Sequence, residues 1–203
     1  MPSYKLTYFN GRGRGEVARL LLAAADKKYE DVRIEPGQWP ELKPKMPQAT
    51  MPVLEVDGKF RISQSMAVNR FLARELNLYG NGTKNQAIVD QILDNLLDLF
   101  GPAITMFFNK NEDEKAEQMK KFMEETVPTQ FKYLENLMKL SGSRGFAVGS
   151  SLTVADLALF SILENCKLEE AVKNYPVLAK NRETIQSLPR IKKYLENRPA
   201  TAF

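Results

Sequence analysis

The hydrophobic pattern of this 203-residue chain changes period once, near residue 80, and that change limits the folds open to it. Before the change, short runs that read as strands alternate with runs that read as helices. After it, apolar residues recur at the helical spacing to the end of the chain. The expected fold class is a small α/β domain over residues 2–79 and an all-α domain over residues 81–203. Leu78-Tyr79-Gly80-Asn81-Gly82-Thr83 joins them, by its turn residues.

Within the first part, Lys5-Leu6-Thr7-Tyr8-Phe9 reads as a buried strand. It runs through Asn10-Gly11-Arg12-Gly13 into a helix with Val17, Leu20, Leu21 and Ala24 on one face. Residues 31–34 alternate as a second strand, and the following segment, with Pro36, Gly37, Pro40, Pro44 and Pro47, is too broken for a long element. Residues 52–56 form a third strand, and Asp57-Gly58 signals a tight hairpin into a fourth at 59–62. Ser65 precedes Met66, Val68, Phe71, Leu72 and Leu76 at helical spacing, which predicts it as the N-cap. The order is βαβ, then ββα.

The second part opens with a stripe of Val89, Ile92, Leu93, Leu96 and Phe100. Phe122, Phe131, Leu134 and Leu137 predict a second long helix that Pro128 bends or divides. Thr153-Val154-Ala155-Asp156 is a capping box opening a helix that is apolar nearly all round, so it belongs at the centre of its domain. Pro189 separates two further helices, at 178–188 and 190–197.

Two absences restrict the chemistry. There is no histidine, which removes imidazole acid–base catalysis, Ser-His and Cys-His pairs, and zinc sites built on His. The single cysteine, Cys166, allows no intrachain disulfide and no C-x-x-C pair, and among apolar helical residues it reads as a packing residue. The net charge of +4 comes from 29 basic and 25 acidic residues interspersed along the chain. No nucleic acid is expected as a partner, because no basic stripe is concentrated enough to hold it. No apolar run reaches the length of a membrane span, and the first residues lack the apolar core of a secretory signal. A cytoplasmic location and no membrane partner are therefore expected.

The reactive group must then be a hydroxyl, a carboxylate, an amine, a backbone dipole or something borrowed. Tyr8 ends the first strand, where α/β folds present side chains to a ligand crevice. A phenol is a poor base at neutral pH but a good donor to an anion, and Arg14 at the helix start could add positive charge. Read alone, an amphipathic-strand tyrosine and a solvated arginine are the commoner cases. Met51-Pro52 heads the third strand; a cis bond there would leave Met51's backbone free to pair an extended peptide, although a trans proline starting a strand is more frequent. Gln64 and Ser65 open a helix whose N-terminal N–H groups suit a carboxylate, and plain capping by Ser65 is compatible with that. Trp39 and Lys43, four apart, offer an indole N–H and an ammonium for a second carboxylate, or simply a packing anchor and a solvated lysine. Asp94 and Asp98 share one helix face, by default a solvated one.

Taken in order, Tyr4-Lys5-Leu6-Thr7-Tyr8-Phe9-Asn10, Arg12-Gly13-Arg14, Trp39-Pro40, Met51-Pro52-Val53-Leu54-Glu55-Val56-Asp57-Gly58, Gln64-Ser65-Met66-Ala67 and Ser151-Leu152-Thr153-Val154-Ala155-Asp156 resemble sigma-class glutathione transferases over essentially the whole chain. The resemblance implies a thioredoxin-like first domain and a detoxifying, homodimeric enzyme. It would conjugate glutathione, as co-substrate, to apolar electrophiles. It further implies that Tyr8, supported by Arg14, holds the sulfur as a thiolate. Trp39 and Lys43 would bind the glycyl carboxylate, Met51 before a cis Pro52 the cysteinyl backbone, and Gln64 and Ser65 the γ-glutamyl carboxylate. Asp98 of a second subunit would meet the ammonium. Phe9, Gly13, Met106 and Phe107 are expected along the electrophile pocket.

Two rivals follow from the same resemblance. One is a glutathione-dependent prostaglandin D synthase; some such relatives bind a divalent cation through an acidic interface cluster. Here Leu97 stands where a further carboxylate is expected, and no metal is assigned. The other is a lens crystallin or ligand carrier with little activity, disfavoured by the intact glutathione residues and the lack of an extra loop.

Overall fold

The computed structural model describes residues 2–142 and 144–201. The chain divides into two compact units, Met1–Tyr79 with Gln186–Phe203, and Gly80–Ile185. In chain order the first unit begins with β1 (Tyr4–Phe9), α1 (Glu16–Ala24), β2 (Glu30–Ile34), α2 (Trp39–Leu42), β3 (Val53–Val56), β4 (Phe60–Ser63) and α3 (Ser65–Glu75). The strands form one mixed sheet in the order β2-β1-β3-β4. β1 runs parallel to β2, a pairing that needs a crossover, and α1 supplies it. β3 runs antiparallel to both β1 and β4. Asp57 and Gly58 both take positive φ, 53° and 66°, which matches the right-handed strand twist and makes the hairpin tight. Lys59 belongs to that turn, donating to the Val56 carbonyl at 3.1 Å, so β4 starts one residue later than the alternation suggested.

The register decides what lies where. Thr7 pairs with Val53, and Val53 with Ser63. One residue further along, Tyr8, Pro52 and Gln64 come level at a single end of the sheet. The proline-rich segment between β2 and β3 breaks into short helical turns, as its composition required. One expectation is corrected at α3: Gln64, not Ser65, is the N-cap. Gln64 has φ 73° and ψ 112°, outside the helix, while its carbonyl already accepts the Val68 N–H at 2.9 Å. Ser65 is thereby the first helical residue.

The second unit holds α4 (Gly82–Phe108), α5 (Glu112–Lys121), α6 (Val127–Leu140), α7 (Val154–Asn165) and α8 (Pro176–Ser187), the last of which runs over its boundary. The long helix expected through Phe122 and Leu137 is divided by a wide turn at Phe122–Thr126. The break precedes Pro128, which sits in the first turn of α6, where a missing N–H costs nothing. α7 is buried at every position from Val154 to Leu163. Each fully buried Leu or Ile there contributes about 1.5–3 kcal/mol. The chain then returns to the first unit, where α9 (Pro189–Asn197) packs against α1.

The capping box forms as the sequence predicts. Asp156, wholly buried, accepts from the Thr153 N–H and hydroxyl at 2.7 Å each, from the Asn181 amide at 2.7 Å, and from the Ala147 N–H. It ties the start of α7 to the preceding loop and to α8. Asp156→Ala leaves these donors buried without an acceptor, at about 1–3 kcal/mol each. The expected result is a loss of about 3 kcal/mol or more, read as a lowered urea midpoint.

Candidate active site

Tyr8 lies at the level end of the sheet, with only 8% of its surface exposed. Its phenolic oxygen accepts the Arg14 backbone N–H at 3.0 Å. Burial pushes the phenol above its ordinary pKa, against the pull of that hydrogen bond and of the Arg14 and Arg19 charges. The group therefore keeps its proton at neutral pH. With one lone pair engaged by Arg14, its own O–H remains to be given to another acceptor, and the bond it receives polarises the one it donates. Arg14 thus contributes a backbone donor as well as the charge read from the sequence.

The ring is held by absences. A Cβ on Gly13 would meet the Tyr8 oxygen at 2.8 Å, and a Cβ on Gly15 would meet the ring carbon Cδ1 at 2.7 Å. Gly13 also has φ +37°. The turn passes flat across the phenol only because both residues lack side chains. The Gly11 carbonyl of the same turn accepts from Arg19, a fully buried residue of α1. Glu16, 1% exposed, stands 3.4 Å from Arg19 and 2.9 Å from Arg198. Sequence reasoning passed over Gly15, Glu16, Arg19 and Arg198. A signal was available, since Glu16 and Arg19 are i, i+3 charges, the first just before and the second within the apolar run Val17–Leu22, and α1 is buried throughout Glu16–Leu22.

Register places Pro52 and Gln64 level with Tyr8, and ring contacts link Tyr8 through Phe9 to Trp39. Phe9 stacks edge-on with Tyr8 at 5.7 Å and with Trp39 at 5.6 Å, which carries the aromatic surface to α2. Trp39 is half-buried, and Lys43, one helical turn on, is exposed. The Met51–Pro52 peptide is cis, with Pro52 buried and Met51 half-buried ahead of β3. Gln64 is exposed, and its side-chain amide donates to Gln48 at 3.0 Å. Ser65 is buried in the first turn of α3, whose leading N–H groups have no acceptor within the helix. This end of the sheet offers an aromatic wall, a phenolic donor, a helix N-terminus and a cis-proline backbone.

Asp94 and Asp98 are exposed on α4 in the second unit, with Leu97 half-buried beside them. Of the residues expected along an apolar pocket, Phe9 and Gly13 belong to the first unit, while Met106 is buried and Phe107 exposed on α4. Burial, reinforced by Glu169, pushes the Cys166 thiol up to about 12, so it is no nucleophile. Among the described residues, no group of three or more His, Cys, Asp or Glu is placed to hold a metal ion.

Two family models match the chain: the glutathione S-transferase N-terminal domain over residues 4–74 and the glutathione S-transferase C-terminal domain over residues 97–198. The S-crystallin SL11 of Nototodarus sloanii is 38% identical over 206 residues, with all of both chains covered. The hematopoietic prostaglandin D synthase of Gallus gallus is 39% identical, again over the whole of both. Among solved structures, the sigma class GST of Fasciola hepatica superposes with a TM-score of 0.88 at 32% identity, covering 100% of this chain and 99% of its own.

Gly15→Ala puts a methyl group into the Tyr8 ring at 2.7 Å. The ring is expected to tilt away, breaking the bond from Arg14, with a loss of about 1–3 kcal/mol. A crystal structure of the variant and its thermal midpoint test both.

Proposed function

The chain belongs to the glutathione S-transferase family, and on that premise we propose that it ionises glutathione against Tyr8 and transfers the sulfur to apolar electrophiles. The carrying observation is the Tyr8 phenol, protonated and already accepting the Arg14 N–H, so that its proton is available to a thiolate. A free thiol titrates near ~8.5, and a hydrogen bond to its charged form, worth about 1.5–3 kcal/mol, lowers that by about 1–2 units. The thiol proton leaves to solvent. The thiolate then forms the carbon–sulfur bond, and the leaving group departs with the electron pair of the bond it loses. Holding sulfur and electrophile together supplies much of the remaining acceleration.

The rest of the tripeptide is assigned to the same end of the sheet. Residues 2–79 are the proposed glutathione-binding domain. Trp39 and Lys43 take the glycyl carboxylate, supported by the ring contact that joins Trp39 to Phe9. The Met51 backbone, before the cis Pro52, pairs the cysteinyl unit as an added strand. Gln64 and Ser65, at the α3 N-terminus, hold the γ-glutamyl carboxylate. Asp98, exposed on α4, meets its ammonium from the second subunit of a homodimer. The enzyme is proposed to work in the cytoplasm, consistent with a sole cysteine kept as a thiol.

Glutathione-dependent isomerisation of prostaglandin H2 is the second reading, favoured by the 39% identity to a prostaglandin D synthase. It uses the same thiolate, so assays of both reactions separate the two without altering the role of Tyr8.

Tyr8→Phe removes the donor and little else. Glutathione should still bind, its bound thiol pKa should rise by about 1–2 units, and turnover near neutral pH should fall about 10–100-fold. Ultraviolet thiolate absorbance and steady-state kinetics measure these effects; unchanged turnover or lost binding would sink the assignment. In the wild type, activity should fall as pH drops through the bound thiol's pKa. It should show no alkaline decline below about pH 10, because the raised Tyr8 pKa keeps the donor protonated there.

A further inference from the structure

β4 and the residue after it hold the chain that precedes β3 at three points. Arg61 Nη1 and Nη2 both donate to the Lys45 carbonyl at 3.3 Å, and the buried Ser63 hydroxyl donates to the Pro47 carbonyl at 3.2 Å. The Gln64 amide nitrogen donates to Gln48 Oε1 at 3.0 Å. The first two grip backbone, so they set the course of the segment whatever side chains it carries. The third joins two side chains and settles something else, the way an amide is turned.

Both glutamines take a positive φ, which favours glycine. Gln48 has φ 55° and ψ 17°, and Gln64 has φ 73° and ψ 112°. Strained residues of this kind gather at ligand clamps. Both side chains are exposed, and a solvated hydrogen bond between neutral amides adds little to folding. A glycine at position 48 would suit the backbone better, so the amide there answers to something other than stability. An amide has two N–H donors and one carbonyl acceptor. With one N–H given to Gln48, the second N–H and Oε1 of Gln64 have no partner among the described residues. One donor beside one acceptor matches the head of a γ-glutamyl group, where a carboxylate and an ammonium share one carbon. A loosely held amide also presents the reverse order and must be ordered on binding.

We propose that Gln48 is a positioning residue for the γ-glutamyl end of glutathione: it accepts one N–H of Gln64, which presents the other N–H to the α-carboxylate and Oε1 to the α-ammonium. The inference rests on the assignment of Gln64 to the γ-glutamyl unit and adds the group that orients it.

The test measures calorimetric binding of S-methylglutathione, which has no thiol to ionise, to the wild type, Gln48→Met, Gln64→Met and the double variant. Gln48→Met keeps the length of the side chain and removes the acceptor. Its Kd should rise about three- to tenfold, the size of one neutral hydrogen bond. With glutathione as substrate, KM should rise by a similar factor, while kcat and the bound thiol pKa keep their wild-type values. In the Gln64→Met background the change at Gln48 should have no further effect, because the amide it orients is gone. A segment merely damaged in shape weakens binding equally in both backgrounds, and that result overturns the inference, as does an unchanged Kd in Gln48→Met. Should Gln48→Met fail to fold, Gln48→Gly, which suits the positive φ, carries the same expectations. If Gln64→Met weakens binding while the Gln48 variants do not, only this inference falls. If Gln64→Met binds as the wild type does, the γ-glutamyl assignment falls with it.

Discussion

One backbone N–H, that of Arg14, determines which way a buried phenol aims its proton. A tyrosine at the end of a strand has two ways to satisfy its oxygen, by donating or by accepting. Here the turn after β1 fills the accepting side from the protein itself. What remains is a donor that burial keeps protonated, at the end of the sheet proposed to take the peptide ligand. The geometry of the turn matters more to this than the identity of the side chains it carries. Two of its residues are glycines because the ring occupies the space their Cβ atoms would need.

The four strands, the hairpin and the buried α7 were legible because each rests on a local rule. Alternation marks a strand, two positive-φ residues mark a tight hairpin, and a threonine three residues before an aspartate marks a capped helix. The placement of Tyr8, Pro52 and Gln64 at strand ends was legible too, since each borders a run that the alternation marked as a strand. Tertiary packing hid the rest. Nothing local distinguishes Gly15 from Gly13, and only the approach of the Tyr8 ring shows that both are needed. The N-cap at α3 shifted by one residue because Gln64 accepts a left-handed backbone that propensity assigns to glycine or asparagine. The division before Pro128 escaped because the wide turn that causes it has no short sequence signature.

Charge in the first unit is placed where hydrophobic pattern alone would put an aliphatic residue. Arg19 and Glu16 interrupt the apolar helix α1, and both are buried. Their partners come from β2 and from the residue just after α9, so the arrangement completes itself only in the folded chain. A chain without histidine has few ways to tune an ionisation. Here the Arg14 N–H and the Arg14 and Arg19 charges oppose the effect of burial on the Tyr8 phenol without overcoming it.

The salt bridge from Arg198 to Glu16 spans 182 residues of sequence. A ribosome therefore finishes the sheet long before it delivers the helix and the arginine that cover α1. At roughly 5–20 residues per second, residues 80–198 take about 6–24 s to emerge. For that interval the nascent first unit carries one uncovered apolar helix face and one carboxylate lacking its outer partner. Vectorial synthesis thus meets a topology that closes only when the end of the chain arrives, and the intervening helical unit has time to fold first.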